Sequence, residues 1–309
     1  MKAKFKIIAS VWFFLLSTAT LANIGGTDLQ NFNPTTNGLD FVTVHSAQTL
    51  KSGQINIGAF SNYVTNSLPY STLSAGVNTQ SFGNPNDQIL YSNLNFAIGL
   101  IEGWDLGLAT GFTNLQNIET PNFLFSYGDM GFNEVRINSK LRVFKDNTFG
   151  LAVVAGMDFE QIKNNPFMGD NAGPSFHFEG VFDMRILPEL LWAINLGYRL
   201  RQPGAGIPNT GVTPLSDQIT FSTAFSYLTD SWGSSVIAEL YGSAPIELVS
   251  IPSDRDLSNL EVLLGYRWQG LEDIDLHGGI GSSFYYGLGS PDMRAYVGLN
   301  WQLDFLSSN

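Results

Sequence analysis

Residues 175–201 read SFHFEGVFDMRILPELLWAINLGYRLR. Phe176, Phe178, Gly180, Phe182, Met184 and Ile186 are apolar or small, while Ser175, His177, Glu179, Asp183 and Arg185 between them are polar. Residues 187–189 leave room only for a tight turn. After it Leu190, Trp192, Ile194, Leu196, Tyr198 and Leu200 alternate with Leu191, Ala193, Asn195, Gly197, Arg199 and Arg201. A period of two on both sides of a turn is a β-hairpin with one apolar and one more polar face. In a soluble sandwich the apolar face would meet a second sheet. Here nearly every hairpin of the chain repeats the arrangement and no helical pattern remains to cover it, so the expected cover is lipid.

The same alternation, followed from Gly53 to the end, gives twelve strands, the ninth and eleventh with the weakest pattern. Connections after the even strands (101–103, 145–148, 187–189, 229–231 and 269–273) are short, and those between are mostly longer. This predicts an all-β fold: a transmembrane antiparallel up-and-down β-barrel of about 12 strands with short periplasmic turns and long extracellular loops. An even strand count places both termini in the periplasm. Trp104, Trp192, Trp232, Trp268 and Trp301 each fall at the short-turn end of a strand and form an expected aromatic girdle at that interface, where a ring half apolar and half hydrogen-bonding is most stable. The aromatic stretches 123–127 and 284–286 read as a belt at the other interface.

Residues 1–22 carry Lys2, Lys4 and Lys6, an apolar run over 7–16 and small residues before Asn23, the pattern of a cleaved secretory signal peptide. The run is about half the roughly 20 residues a spanning helix needs. Without those lysines, 12 basic residues face 27 acidic ones, a net charge of -15 that speaks against a nucleic-acid partner. The chain has no Cys, which excludes disulfides, a lipoprotein anchor and thiolate metal sites. The expected division is a signal peptide over 1–22, a polar segment over 23–52 that is either a periplasmic lead-in or tucked into the lumen, and a barrel over 53–309.

Charge falls on the inward positions. Glu134, Arg136, Lys140, Arg142, Asp158, Glu160, His177, Glu179, Asp183, Arg185, Arg199, Arg201, Glu239, Glu261, Arg267 and Arg294 are the expected lumen-lining set, with Asp275 beside them. Two readings stay open: opposing basic and acidic walls of a pore for small hydrophilic solutes, or a network that fills a barrel of intermediate width. His177 and His277 face inward and His45 precedes the barrel, so no outward His accompanies the outward hydroxyls of Ser61, Ser139 and Ser234. A lipid-modifying enzyme needs its Ser and His within reach of each other, so no catalytic residue, cofactor or metal is expected.

Phe32, Pro34, residues 39–44, Ser46, Leu50, Gly53, Gly58, Tyr63, Asn66 and Leu68 resemble the N-terminal pattern of porin-like barrels, often called OmpA-like, from predatory and related Gram-negative bacteria. The resemblance covers about residues 30–70 and implies an outer-membrane porin-like protein, without the peptidoglycan-binding domain that many such proteins carry. It also implies a homo-oligomeric ring that encloses lipid.

The expected function is thus a passive diffusion channel for small hydrophilic solutes in the outer membrane of a Gram-negative bacterium. The alternative is a non-conducting structural or adhesive barrel, and a lipid-modifying enzyme ranks third. Ala59, Ser61, Gly278, Ser282 and Ala295 are small residues on the outer faces of strands one, eleven and twelve and form the expected oligomer contact, because small residues let backbones approach in lipid.

Overall fold

Period-two alternation becomes strand wherever it occurs. In a computed structural model describing residues 30–67, 87–118, 131–162, 165, 167–206, 214–229, 233–247, 257–271, 273–287 and 289–304, the chain forms twelve strands. These are β1 (Gln54–Thr65), β2 (Asp87–Ile101), β3 (Trp104–Ile118), β4 (Gly131–Lys145), β5 (Phe149–Glu160) and β6 (Ser175–Leu187). They continue as β7 (Leu190–Leu200), β8 (Gln218–Leu228), β9 (Ser234–Pro245), β10 (Asn259–Leu271), β11 (Ile274–Tyr285) and β12 (Met293–Asp304). Each pairs antiparallel with its chain neighbours, and β1 pairs with β12 in the register Gln54↔Asp304 to Thr65↔Met293, closing the barrel. Closure removes the unpaired strand edges that hydrocarbon would not tolerate.

Register sends the apolar sets outward as expected. In the opening hairpin Phe182 pairs with Ile194 and Phe178 with Tyr198 on the outer face, while His177 pairs with Arg199 on the inner one. Leu196 is 65% exposed and Val297 64%, whereas Ala193 and Ile237 on the inner face are fully buried. An outer surface this apolar is stable only under lipid. Asp146 fixes the β4–β5 turn by accepting the N–H groups of Thr148 and Phe149, and those bonds hold its carboxyl below the usual carboxylate range.

Aromatic side chains at the short-turn end form a continuous outer band. Phe144, Phe149, Phe182, Trp192 and Phe225 follow one another across β4 to β8 with ring centroids 5.0 to 6.3 Å apart. Trp192 donates to the Thr223 hydroxyl at 2.9 Å, and Trp104 to Ser139 at 2.8 Å. Trp268 and Trp301 lie near the same end, and Trp232 is outside the described residues, as are the signal sequence and the stretch 123–127.

Residues 30–50 do not lie below the barrel; they run inside it, and Lys51 and Ser52 are exposed at the short-turn rim. Gln30 meets Arg294, the second residue of β12, in the half of the lumen nearer the long connections. Asn37 then reaches Asp105 at the short-turn end of β3. A turn follows, with Gly38 and Asp40 at positive φ and Thr35 N–H donating to Val42 O at 2.8 Å. The chain rises to β9, descends past β4 and β6, and enters β1 at the short-turn end. Gln30 and Asp304, the first and last described residues, therefore sit toward opposite halves of the barrel.

Candidate functional site in the lumen

Three features of the wall hold the luminal segment, and each is written in inward-facing residues. The first is an apolar seat. Phe32, Phe41, Val42 and Val44 of the segment cluster with Phe60, Leu191, Ile237, Tyr241, Leu263 and Tyr296 of the wall. Burying such a side chain stabilises by about 1.5–3 kcal/mol, so the seat is a small hydrophobic core inside a membrane barrel.

The second feature is a set of wall carboxylates that accept the segment's N–H groups. Glu239 takes Val42 N–H at 2.6 Å, Thr43 N–H at 3.0 Å and the Thr43 hydroxyl at 2.6 Å. Asp183 takes the N–H of Ala47. Asp105 takes Asn37 Nδ2 at 3.1 Å and Leu50 N–H at 3.3 Å. Segment carbonyls find donors in Asn56, Asn95 and Lys140, which bond Thr36, Pro34 and Ser46. A non-strand segment at membrane depth is tolerable only when its backbone groups are satisfied in this way.

The third feature is space. A Cβ at Gly107 would lie 2.1 Å from Thr36 Oγ1, and one at Gly150 would lie 2.7 Å from the Ala47 Cβ. Glycine at those inward positions lets the segment approach the wall backbone.

The charged residues expected to line the lumen separate into levels. Glu261 and Arg294 form a fully buried pair at 2.9 Å; Arg294 also donates to Asn62 and Gln30 and lies 5.3 Å from the centroid of the Phe32 ring. Removing one member of such a pair leaves an uncompensated charge, at a cost of about 3–5 kcal/mol. Arg267 pairs with Asp275 near the short-turn end. Arg142 pairs with Glu102 in the β2–β3 turn, and Arg185 donates to Pro188 O, which puts both at the short-turn rim. Arg201 follows β7 and donates to Met168 Sδ and Gln218 beneath the connections at the other end. Glu160, the last residue of β5, lies toward that end too and accepts from Ile162 N–H at 3.3 Å.

Between these levels, Arg136, Asp158, His177, Glu179 and Arg199 face a cavity of about 150 Å3 bounded on its other side by Asn33, Thr43 and His45 of the segment. Glu134 stands 3.2 Å from Arg136 Nε, and Asn195 donates to Glu179 at 2.9 Å. The arrangement gives a polar chamber with both signs of charge, in which His177 meets Asp158, while His277 meets Asn300. Among the described residues no group of acidic and His side chains is placed to hold a metal ion.

On the outer face, Ala59, Ser61, Gly278 and Ala295 occupy β11, β12 and β1 as expected, interleaved with larger neighbours. Ala295 lies between Tyr63 and Ile280, and Ala59 between Leu94 and Leu299. Ser61 bonds Ser92 at 2.8 Å, and Ser282 donates to Asp292 O at 2.7 Å.

No family model matches the chain, and no curated protein matches it in sequence. Among solved structures, an outer-membrane channel from Pseudomonas putida F1 is similar with a TM-score of 0.65 at 9% identity, over 85% of this chain and 100% of that one. A NanC porin is similar with a TM-score of 0.52 at 8% identity, over 81% of this chain and 100% of that one. Identities this low speak to architecture alone, and the architecture is a closed twelve-stranded antiparallel barrel of the kind that outer-membrane channels use.

Proposed function

We propose that this chain is a porin-like channel of the Gram-negative outer membrane, delivered there by a signal peptide over residues 1–22, and that it passes small hydrophilic solutes by diffusion. The observation that carries the reading is the mixed-charge chamber left between the luminal segment and the β4–β10 wall. A barrel that served only as an anchor would gain nothing from polar groups lining such a space. The segment narrows the lumen, so conductance is small and limited to solutes the size of the chamber. The channel works as a homo-oligomeric ring with lipid inside it, as the resemblance to porin-like proteins of predatory and related bacteria implies.

Planar-bilayer recording of the refolded, heat-modifiable protein tests the reading. Small discrete current steps are expected. The chain has no Cys, so a disulfide between Thr36→Cys and Asn138→Cys, whose native side-chain oxygens are 3.0 Å apart, pins the segment without competing thiols. Current that falls on oxidation and returns on reduction would tie conduction to the segment.

A non-conducting structural or adhesive barrel is the second reading, and the apolar seat of Phe32, Phe41, Val42 and Val44 favours it by sealing much of the lumen. Absence of current from correctly folded protein selects that reading.

A further inference from the structure

The chamber sets cations against carboxylates and leaves part of their hydrogen-bonding capacity unused. Arg136 on β4 is register partner to Asp158 on β5, and His177 on β6 is partner to Arg199 on β7; the two pairs are offset by two residues in the β5–β6 register, and His177 joins them by reaching Asp158. Arg136 Nε is within ion-pair distance of Glu134, yet its N–H is misaligned, and among the described residues neither Arg136 Nε and Nη2 nor Arg199 Nε has a hydrogen-bond acceptor. Arg199 Nη1 makes one long bond, 3.3 Å, to Gln218. Asp158 engages His177 through Oδ2 at 3.3 Å, and among the described residues its Oδ1 has no donor.

Buried guanidinium donors without an acceptor cost free energy that a carboxylate restores, because its two oxygens match the planar fork of Arg. An orphan carboxylate oxygen nearby calls in turn for a donor on the same solute. Asp158, Glu179 and Glu134 stand against the two arginines, so the chamber holds no excess of positive charge; that disfavours a dianion and suits a monocarboxylate that brings its own donor, a zwitterion above all. A volume near 150 Å3 is roughly that of a cavity that takes up benzene, with about six heavy atoms.

We propose that the chamber is a binding station for a small carboxylate that also carries a hydrogen-bond donor, a hydroxy acid or an amino acid. Its carboxylate lies between Arg136 and Arg199, and its hydroxyl or ammonium group donates to Asp158. The inference rests on the channel reading and goes past it by naming the solute class and the side chains that select it.

Calorimetric titration of the full folded chain in detergent micelles tests it with four probes: glycerate and serine, which have both groups, propionate, which lacks the donor, and glycerol, which lacks the carboxylate. Glycerate and serine are expected to saturate at about millimolar concentration, and propionate and glycerol to bind roughly tenfold more weakly or not at all. Arg199→Gln and Arg136→Gln should each cost about tenfold for glycerate, with Arg199→Lys partly restoring it. Asp158→Asn should reduce the preference for glycerate over propionate. The wild-type titration stands even where a variant fails to fold. No saturable binding of either acid, or glycerol binding as tightly as glycerate, would overturn the assignment. Binding is read without current, so binding with no conductance sinks only the channel, and conductance with no binding sinks only the station.

Discussion

The hydroxyl of Thr43 lies 2.6 Å from Glu239 Oε2, joining residues 196 positions apart in the chain. The same carboxylate receives the backbone N–H groups of Val42 and Thr43, so one side chain of β9 holds the crest of the luminal segment. A carboxylate can accept all of these bonds, whereas an amide turns one of its two ends into a donor that faces other donors. Glu239→Gln is expected to lower unfolding stability by about 1–3 kcal/mol in urea and to raise mean single-channel current as the segment loosens. Unchanged current with reduced stability would show that the segment does not limit conduction.

Gly150 tests the same contact from the side of space. Its missing Cβ is what lets the Ala47 methyl lie against β5, since an added Cβ would come within 2.7 Å of it. Gly150→Val leaves the strand its pairing, and valine suits β structure, so the barrel should still form and remain heat-modifiable. The segment around Ala47 should then be displaced, which limited proteolysis would register as faster cleavage within residues 40–50. Protection equal to that of the parent chain would mean that the wall gives way instead.

What the sequence made legible follows from what is periodic in it. Outer faces repeat every second residue against one uniform solvent, so the alternation around Phe178, Leu196 and Leu264 sufficed to place strands, turns and closure. The luminal segment has no such period, because each of its residues meets a different partner: Ala47 meets Asp183, Leu50 meets Asp105, Gln30 meets Arg294. One signal was nonetheless present. Phe60, Ile237, Leu263 and Tyr296, with Val154, Val181 and Leu191, put bulky apolar side chains on an inward face that also carries the charges, and apolar groups on a lumen wall require something apolar inside the lumen. Likewise, the inward charges were assigned a face by alternation, but their division into rim, buried pair and chamber depends on depth along the axis and on partners that no local spacing encodes.

Arg199 and Arg201 share a face in sequence but differ in depth, and that difference is measurable. Arg199 borders the chamber, while Arg201 lies beyond the end of β7 with Met168 and Gln218. Arg199→Glu should shift the reversal potential in a salt gradient toward cation selectivity, because it reverses a charge on the conducting side of the wall. Arg201→Glu should change selectivity much less and instead loosen the packing of residues 167–170 against 201–206, seen as faster proteolysis there. Equal shifts from the two variants would place both side chains on the path.

The outer face raises a separate question, whether barrels meet along β11, β12 and β1. Ala295 sits between Tyr63 and Ile280, and Ala59 between Leu94 and Leu299, so each small side chain forms a shallow gap between larger ones. Such gaps accept protruding side chains of a neighbour and give dispersion contacts that mobile acyl chains do not match, which is how association proceeds where lipid and side chain are equally apolar. Val297 and Ile280, at 64% and 63% exposure, are the protrusions nearest to hand. A ring further needs a second, different patch on the neighbour, because head-to-tail contacts are heterologous. Replacing Ala59 and Ala295 with Phe fills the gaps while leaving every strand hydrogen bond in place, and both side chains point to lipid, so the barrel should fold as before. Mass measured in mild detergent should fall from oligomer to monomer. An unchanged oligomer mass for the doubly substituted, heat-modifiable protein would put the contact on another part of the barrel.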